Sequence, residues 1–171
     1  MFKITKQSVA LFGGSFDPPH FGHKEVVKSA LDSLDIDKLI VIPAFLNPFK
    51  TGSHFSPKKR LEMTQNMFKE FKKVIVSDYE ISQQKSTTTY QSVKYFQTLY
   101  SVEYFIIGAD NLNNIDKWYN FKYLNSQITW VVATRGGYSL DTSKLKKFEI
   151  LEVEADISST EIRKNKENRF I

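Results

Sequence analysis

Five apolar, β-branched runs separated by stretches of helical spacing restrict the fold of this chain more than any other feature. The runs are Val9-Ala10-Leu11-Phe12, Leu39-Ile40-Val41-Ile42, Val74-Ile75-Val76, Tyr104-Phe105-Ile106-Ile107 and Ile128 to Val132. Each is continuous instead of alternating with polar residues, which is the pattern of a strand covered on both faces. Val26, Val27, Ala30, Leu31 and Leu34 recur at helical spacing between the first two runs, and Leu61, Thr64, Phe68 and Phe71 do so between the second and third. Ser56 followed by Pro57 supplies a cap and a first-turn proline for that second helix. Strand, helix and strand repeating at about thirty residues is the βαβ rhythm, which builds a parallel sheet with helices on its faces. Phe148 to Val153 adds a candidate sixth strand. The expected class is α/β, as one domain over residues 1–171.

Composition narrows the chemistry. The absence of cysteine excludes a disulfide scaffold, a cysteine nucleophile and a cysteine-rich zinc site. Apolar runs fall short of the ~20 residues that span a bilayer, and Met1 to Gln7 lacks the apolar core of a signal peptide. A cytoplasmic protein without a membrane partner is expected. Lysine and arginine total 24 against 19 acidic residues, a net charge of +5. The tightest basic groups, Lys58-Lys59-Arg60, Lys72-Lys73 and Lys144 with Lys146-Lys147, are short and read as solvated faces, so no nucleic-acid partner is expected. A modest positive field still attracts small polyanions such as nucleotides.

In parallel sheets of this kind ligands bind beyond the carboxyl ends of the strands, where the strand order reverses. The first strand runs into Gly13-Gly14-Ser15-Phe16-Asp17-Pro18-Pro19-His20-Phe21-Gly22-His23. Adjacent glycines let the backbone turn tightly and approach a ligand, and amides there and at the following helix start suit a phosphate. With a helix beginning near Pro19, His20 and His23 share one face of its first turn. Two of the three histidines of the chain therefore fall in one loop, where fixed donors suit a phosphorus centre gaining negative charge. A metal site would need further ligands, and none is evident nearby. The loop lacks the lysine of a P-loop and the G-x-G-x-x-G spacing of a dinucleotide site, and the second run ends in Pro43-Ala44-Phe45 without a ribose-gripping acid.

His20-Phe21-Gly22-His23 is the H-x-G-H signature of the adenylyltransferase/cytidylyltransferase superfamily, and Ile157-Ser158-Ser159-Thr160-Glu161-Ile162-Arg163 is similar to its second signature, ISSTxIR. Ser158 and Glu161 also read as a capping box, which would offer free amides at a helix start. Within that superfamily the chain resembles the nicotinate-nucleotide adenylyltransferase family of bacterial NAD synthesis. Pro43 to Lys50, Gly108-Ala109-Asp110-Asn111-Leu112 with Trp118-Tyr119, and Thr134-Arg135-Gly136-Gly137-Tyr138 carry the rest of the likeness. Phe49 stands where the family usually has histidine, and Gln91 where it usually has aspartate.

The resemblance implies a Rossmann-like nucleotidyltransferase fold of five to six parallel strands. It implies that Gly13, Gly14, Ser15 and Phe16 lie along the nucleotide and that His20 and His23 hold phosphates. Ile157, Ser158, Ser159, Thr160 and Arg163 would bind the ATP triphosphate, with Gly108 and Asp110 at the adenosine. Lys50, Arg135, Trp118, Tyr119 and Thr89 would hold nicotinate mononucleotide, Trp118 stacking on its ring. Asp110 could equally cap the helix that it starts, and Ser86 to Thr89 permits several registers. The polar run Asn111 to Lys117 suggests a loop mouth before the Trp118 platform.

The implied reaction is adenylyl transfer from ATP to nicotinate mononucleotide, giving nicotinate adenine dinucleotide and pyrophosphate, with Mg²⁺ on the triphosphate. Nicotinamide mononucleotide or phosphopantetheine are alternative acceptors, and a non-catalytic nucleotide- or RNA-binding module is the rival from another class. The oligomeric state stays open, a homo-oligomer included.

Overall fold

The computed structural model describes residues 5–46, 52–135 and 139–153. Its six strands are β1 (Ser8–Gly14), β2 (Lys38–Pro43), β3 (Val74–Val76), β4 (Ser101–Gly108), β5 (Thr129–Thr134) and β6 (Phe148–Glu152). They form one sheet in the order β3-β2-β1-β4-β5-β6 with every pairing parallel. The candidate sixth strand takes the edge beside β5. Helices α1 (Phe21–Ser33), α2 (Pro57–Phe68), α3 (Tyr79–Ser82), α4 (Thr89–Gln97) and α5 (Phe121–Gln127) join the strands, with a 3-10 segment at Ala109–Lys117.

Continuous apolar runs become two cores because alternate residues of each strand face opposite ways. Ala10, Phe12, Leu39, Val41, Ile106 and Val131 face Val26, Val27 and Ala30 of α1 and Phe68 of α2. Val9, Leu11, Ile40, Ile42, Phe105 and Val132 face Val93 and Phe96 of α4, the 3-10 segment and Leu124 of α5. Ser56 caps α2 as expected, its Oγ accepting from the amide of Lys59, with Pro57 in the first turn.

Connectivity positions the site. From β1 the chain moves outward through β2 to β3, then crosses to β4 and runs outward the other way to β6. The order thus reverses between β1 and β4, and the segments after these two strands diverge there, leaving a crevice at their carboxyl ends. Among the described residues no helix is long and apolar enough to cross a membrane.

Candidate active site

The crevice is bounded first by the turn after β1 and the start of α1. His20 is the N-cap of α1 and His23 its third residue, and each caps the backbone with its ring. The amide of Gly22 donates to His20 Nδ1 at 3.0 Å, and the amide of His20 donates to His23 Nδ1 at 3.0 Å. This is the reciprocal capping box usually made by serine or threonine with glutamate, built here from two imidazoles. The rings stack with centroids 3.8 Å apart and 29° between planes. Amides at this helix start are therefore not bare, as the sequence alone suggests. Two of them are taken up by imidazole nitrogens.

That exchange sets the tautomers. An Nδ1 that accepts carries no proton, so the neutral ring holds its proton on Nε2, the atom across the ring from the helix. The hydrogen-bond pattern assigns this form to both histidines. Burial, and beside it the His20 ring, pushes His23 down to about 3 from an ordinary 6.5. With Nδ1 accepting and its pKa lowered, His23 is a neutral Nε2–H donor near pH 7. Its ring also packs on Phe16 at 4.7 Å.

Phe16 is buried and adopts a φ of +48°, a left-handed conformation that a bulky side chain rarely takes. An added Cβ at Gly14 would stand 3.2 Å from the Phe16 ring, so the turn closes over a glycine. Asp17 is buried, and its carboxylate accepts from the amides of His54 at 2.6 Å and Phe55 at 2.7 Å.

Arg60 corrects the sequence reading most clearly. Lys58-Lys59-Arg60 reads as a solvated basic face, yet Arg60 is only 1% exposed. Its guanidinium donates to the carbonyls of Ser15, Ala44, Phe45 and Phe55 at 2.6–3.1 Å. Burial lowers its pKa, and Asp17 nearby raises it.

The second wall follows β4. Gly108 caps the 3-10 segment, and an added Cβ there would lie 2.7 Å from Asp110 Oδ1. Asp110 is exposed in the first turn of this segment, whose N-cap is Gly108. Asn111 to Lys117 is 3-10 helical with Leu112 and Ile115 buried, instead of an open loop. Half-buried Trp118 follows it, edge-on to Phe105 and Trp130 at 6.3 and 6.0 Å. The exposed Tyr119 ring meets Tyr90 at 5.5 Å. That contact draws the start of α4 to the same corner, with Thr88 as N-cap, Gln91 completing a capping box and Thr89 as the first helical residue. Arg135 is exposed directly after β5.

Known proteins give the arrangement its context. The cytidylyltransferase-like family profile matches residues 11–165. A Sulfurovum protein named "Probable nicotinate-nucleotide adenylyltransferase" is 54% identical over 171 residues, spanning all of this chain and 91% of its own. An Aliarcobacter butzleri protein of the same name is 46% identical over 95% of this chain and 90% of its own. The Plasmodium falciparum nicotinic acid mononucleotide adenylyltransferase solved in complex with NaAD superposes with a TM-score of 0.75 at 25% identity, covering 92% of this chain and 83% of that one. The chain belongs to the nicotinate-nucleotide adenylyltransferase family.

Against that family's motifs, the structure brings Gly13 to Phe16, His20 and His23 to one side of the crevice and Gly108 and Asp110 to the other. Trp118 packs on Phe105 of β4, and Tyr119 beside it meets Tyr90, the residue after Thr89. The remaining nicotinate-nucleotide adenylyltransferase motif positions, Lys50, Ile157, Ser158, Ser159, Thr160 and Arg163, lie outside the described residues. Arg60 and Tyr90 are the members of the arrangement that the motifs do not contain, and Asp17 lies inside the first motif but has no role in the sequence reading.

Two buried titrating groups give opposite pH dependences of stability. His23 stays neutral while an unfolded histidine protonates below about 6.5, so stability falls as pH drops from 6.5 toward 3. Glu80, buried with Ser92 Oγ donating to it at 2.6 Å, is pushed up to about 7 from 4.5 by burial, against the lowering effect of that hydrogen bond. The folded state therefore keeps a proton that the unfolded chain releases, and stability is lost as pH rises through 7. Glu80→Gln is expected to stabilise the protein at pH 8 by on the order of 1–3 kcal/mol and to have a smaller effect at pH 5. Urea unfolding at the two pH values reads the difference, and an equal shift at both contradicts the assignment.

Proposed function

We infer that this chain transfers the adenylyl group of ATP to nicotinate mononucleotide, releasing pyrophosphate, in NAD biosynthesis. The phosphate oxygen of the mononucleotide attacks the α-phosphorus of ATP. The new P–O bond forms as the bond to the bridging oxygen of the β-phosphate breaks, and the electron pair leaves with pyrophosphate. The nucleophile is already an anion, so no base is required. What remains is positioning and neutralisation of charge.

The observation that carries this reading is the reciprocal capping of α1 by His20 and His23. Each ring accepts a helix amide on one edge and presents Nε2–H on the other. The polarised amide–imidazole chain extends the positive end of the helix to the ring's far edge. Both donors are neutral N–H groups, so they stabilise charge developing on phosphate oxygens without proton transfer. On the other wall, Gly108 and Asp110 take the adenosine, and Trp118, Tyr119 and Thr89 take the nicotinate ring. Arg135 and Lys50 serve the acceptor side, and Ile157, Ser158, Ser159, Thr160 and Arg163 serve the triphosphate, on the family motifs.

Among the described residues no group of three or more histidine, aspartate or glutamate side chains could hold a metal by itself. The reading assigns Mg²⁺ to ATP, with phosphate oxygens and water as its ligands. When bound, it neutralises triphosphate charge.

Pyrophosphate release from Mg²⁺-ATP with each acceptor in turn tests the function. Nicotinate mononucleotide should support turnover, nicotinamide mononucleotide less, and phosphopantetheine none. Release with phosphopantetheine alone, or ATP binding without release, contradicts it. Gly108→Ala should raise KM for ATP several-fold, because its new Cβ displaces the Asp110 carboxylate while its φ of −76° suits alanine. An unchanged KM would remove Asp110 from the nucleotide site.

A further inference from the structure

Arg60 is buried beside the crevice at a position the reaction does not require. We propose that Arg60 is a positioning residue for adenylyl transfer, acting through backbone carbonyls to brace the nucleotide turn after β1 against the segment after β2 and the start of α2. The inference rests on the function proposed above and deepens it.

The geometry is that of a strut. Arg60 Nη1 donates to Ser15 O and to Ala44 O, each at 2.6 Å. Nη2 donates to Phe45 O at 2.7 Å, and Nε to Phe55 O at 3.1 Å. One planar cation thus reaches three stretches of chain, the farthest of them 45 positions from its own. Asp17 ties the same parts in the other sense, accepting from the amides of His54 and Phe55. A further backbone bond, Ala44 N to Gly14 O at 2.9 Å, runs alongside. Thr64 Oγ1 donates to the Arg60 carbonyl at 2.7 Å one turn along α2.

The Ser15 carbonyl belongs to the peptide plane that precedes Phe16, and that plane is one of the two defining φ of Phe16. Pinning it holds Phe16 at +48°, a conformation that a phenylalanine leaves when its surroundings do not over-determine it. Phe16 in turn lies against His23 at 4.7 Å. The brace therefore reaches the phosphate donors in two steps, Arg60 to the Ser15–Phe16 peptide and Phe16 to the imidazole. A guanidinium suits this task because its five fixed donors diverge in a plane. The compact ammonium of lysine has three and cannot match the same four carbonyls.

The test compares Arg60→Lys with Leu124→Ala, a destabilising change in the core of the opposite sheet face. Both are assayed well below their melting temperatures, and amide hydrogen exchange is followed at residues 14–17. Arg60→Lys should lower kcat/KM for ATP by roughly 10²-fold and accelerate exchange at 14–17. Leu124→Ala should keep kcat/KM within about twofold and leave that exchange unchanged. Equal kinetic effects in the two variants would overturn the proposal, as would unchanged exchange at 14–17 in Arg60→Lys. A wild-type protein without turnover on any acceptor would sink the reaction instead, and the exchange result would then decide the brace alone.

Discussion

His20→Asn and His23→Gln are each expected to lower turnover by roughly 10²–10³-fold while the protein stays folded. The two substitutions are chosen to separate capping from catalysis. Asparagine is a good N-cap, so it can accept the amide that His20 Nδ1 now accepts. Glutamine at the third helical position can reciprocate toward the N-cap amide, as Gln91 does for Thr88 in α4. Asparagine is too short to place a donor at the position of Nε2, and glutamine replaces the fixed ring N–H by an amide N–H on a flexible chain. His20→Ala loses both functions, so it should cost about 1 kcal/mol of stability as well as turnover. Steady-state rates beside urea unfolding separate the two effects. Near-normal turnover in His20→Asn would show that the ring serves the helix alone.

Trp130→Ala is expected to destabilise the fold by ~3–5 kcal/mol. Trp130 is fully buried near the start of β5. It touches Phe105 and Trp118 edge-on and stacks on Phe121, each at 6.0 Å. Its Nε1 donates to Asn125 Oδ1 at 3.0 Å, an oxygen that also accepts the amide of Lys146. Truncation leaves a large cavity, drops that hydrogen bond and removes the wall behind Trp118. KM for the nicotinate acceptor should therefore rise together with the loss of stability. Trp130→Phe retains most of the apolar contact and should cost less on both counts. Urea unfolding at constant m reads the stability, and a cost below about 1 kcal/mol would mean that the site collapses around the missing ring.

Much of this architecture was legible in the sequence, and what escaped shares a physical character. Strand runs and the α1 stripe were visible because burial on two sheet faces demands unbroken apolar segments. Ser56-Pro57 marked α2 through local capping chemistry. The crevice followed from the βαβ rhythm together with histidines and glycines just past β1. Arg60 reads as a surface cation because its partners are carbonyls distant in the chain, and a backbone acceptor leaves no signature in residue types. The imidazole capping box was hidden for a related reason. His20 and His23 have the spacing of such a box, but histidine is not the residue that the pattern calls for. The 3-10 segment before Trp118 resembles a loop in sequence because its polar residues outnumber the two buried positions, Leu112 and Ile115. Tyr90 and Tyr119 meet across 29 positions, a contact that only the fold can specify.

Nitrogen-15 NMR of the two imidazoles, titrated with a non-hydrolysable ATP analogue at pH 7, tests the central claim most directly. The account predicts acceptor-type shifts at both Nδ1 atoms, protonated Nε2 atoms, and movement of both Nε2–H signals as the analogue binds. A proton on either Nδ1, or Nε2 signals that ignore the bound nucleotide, would contradict it.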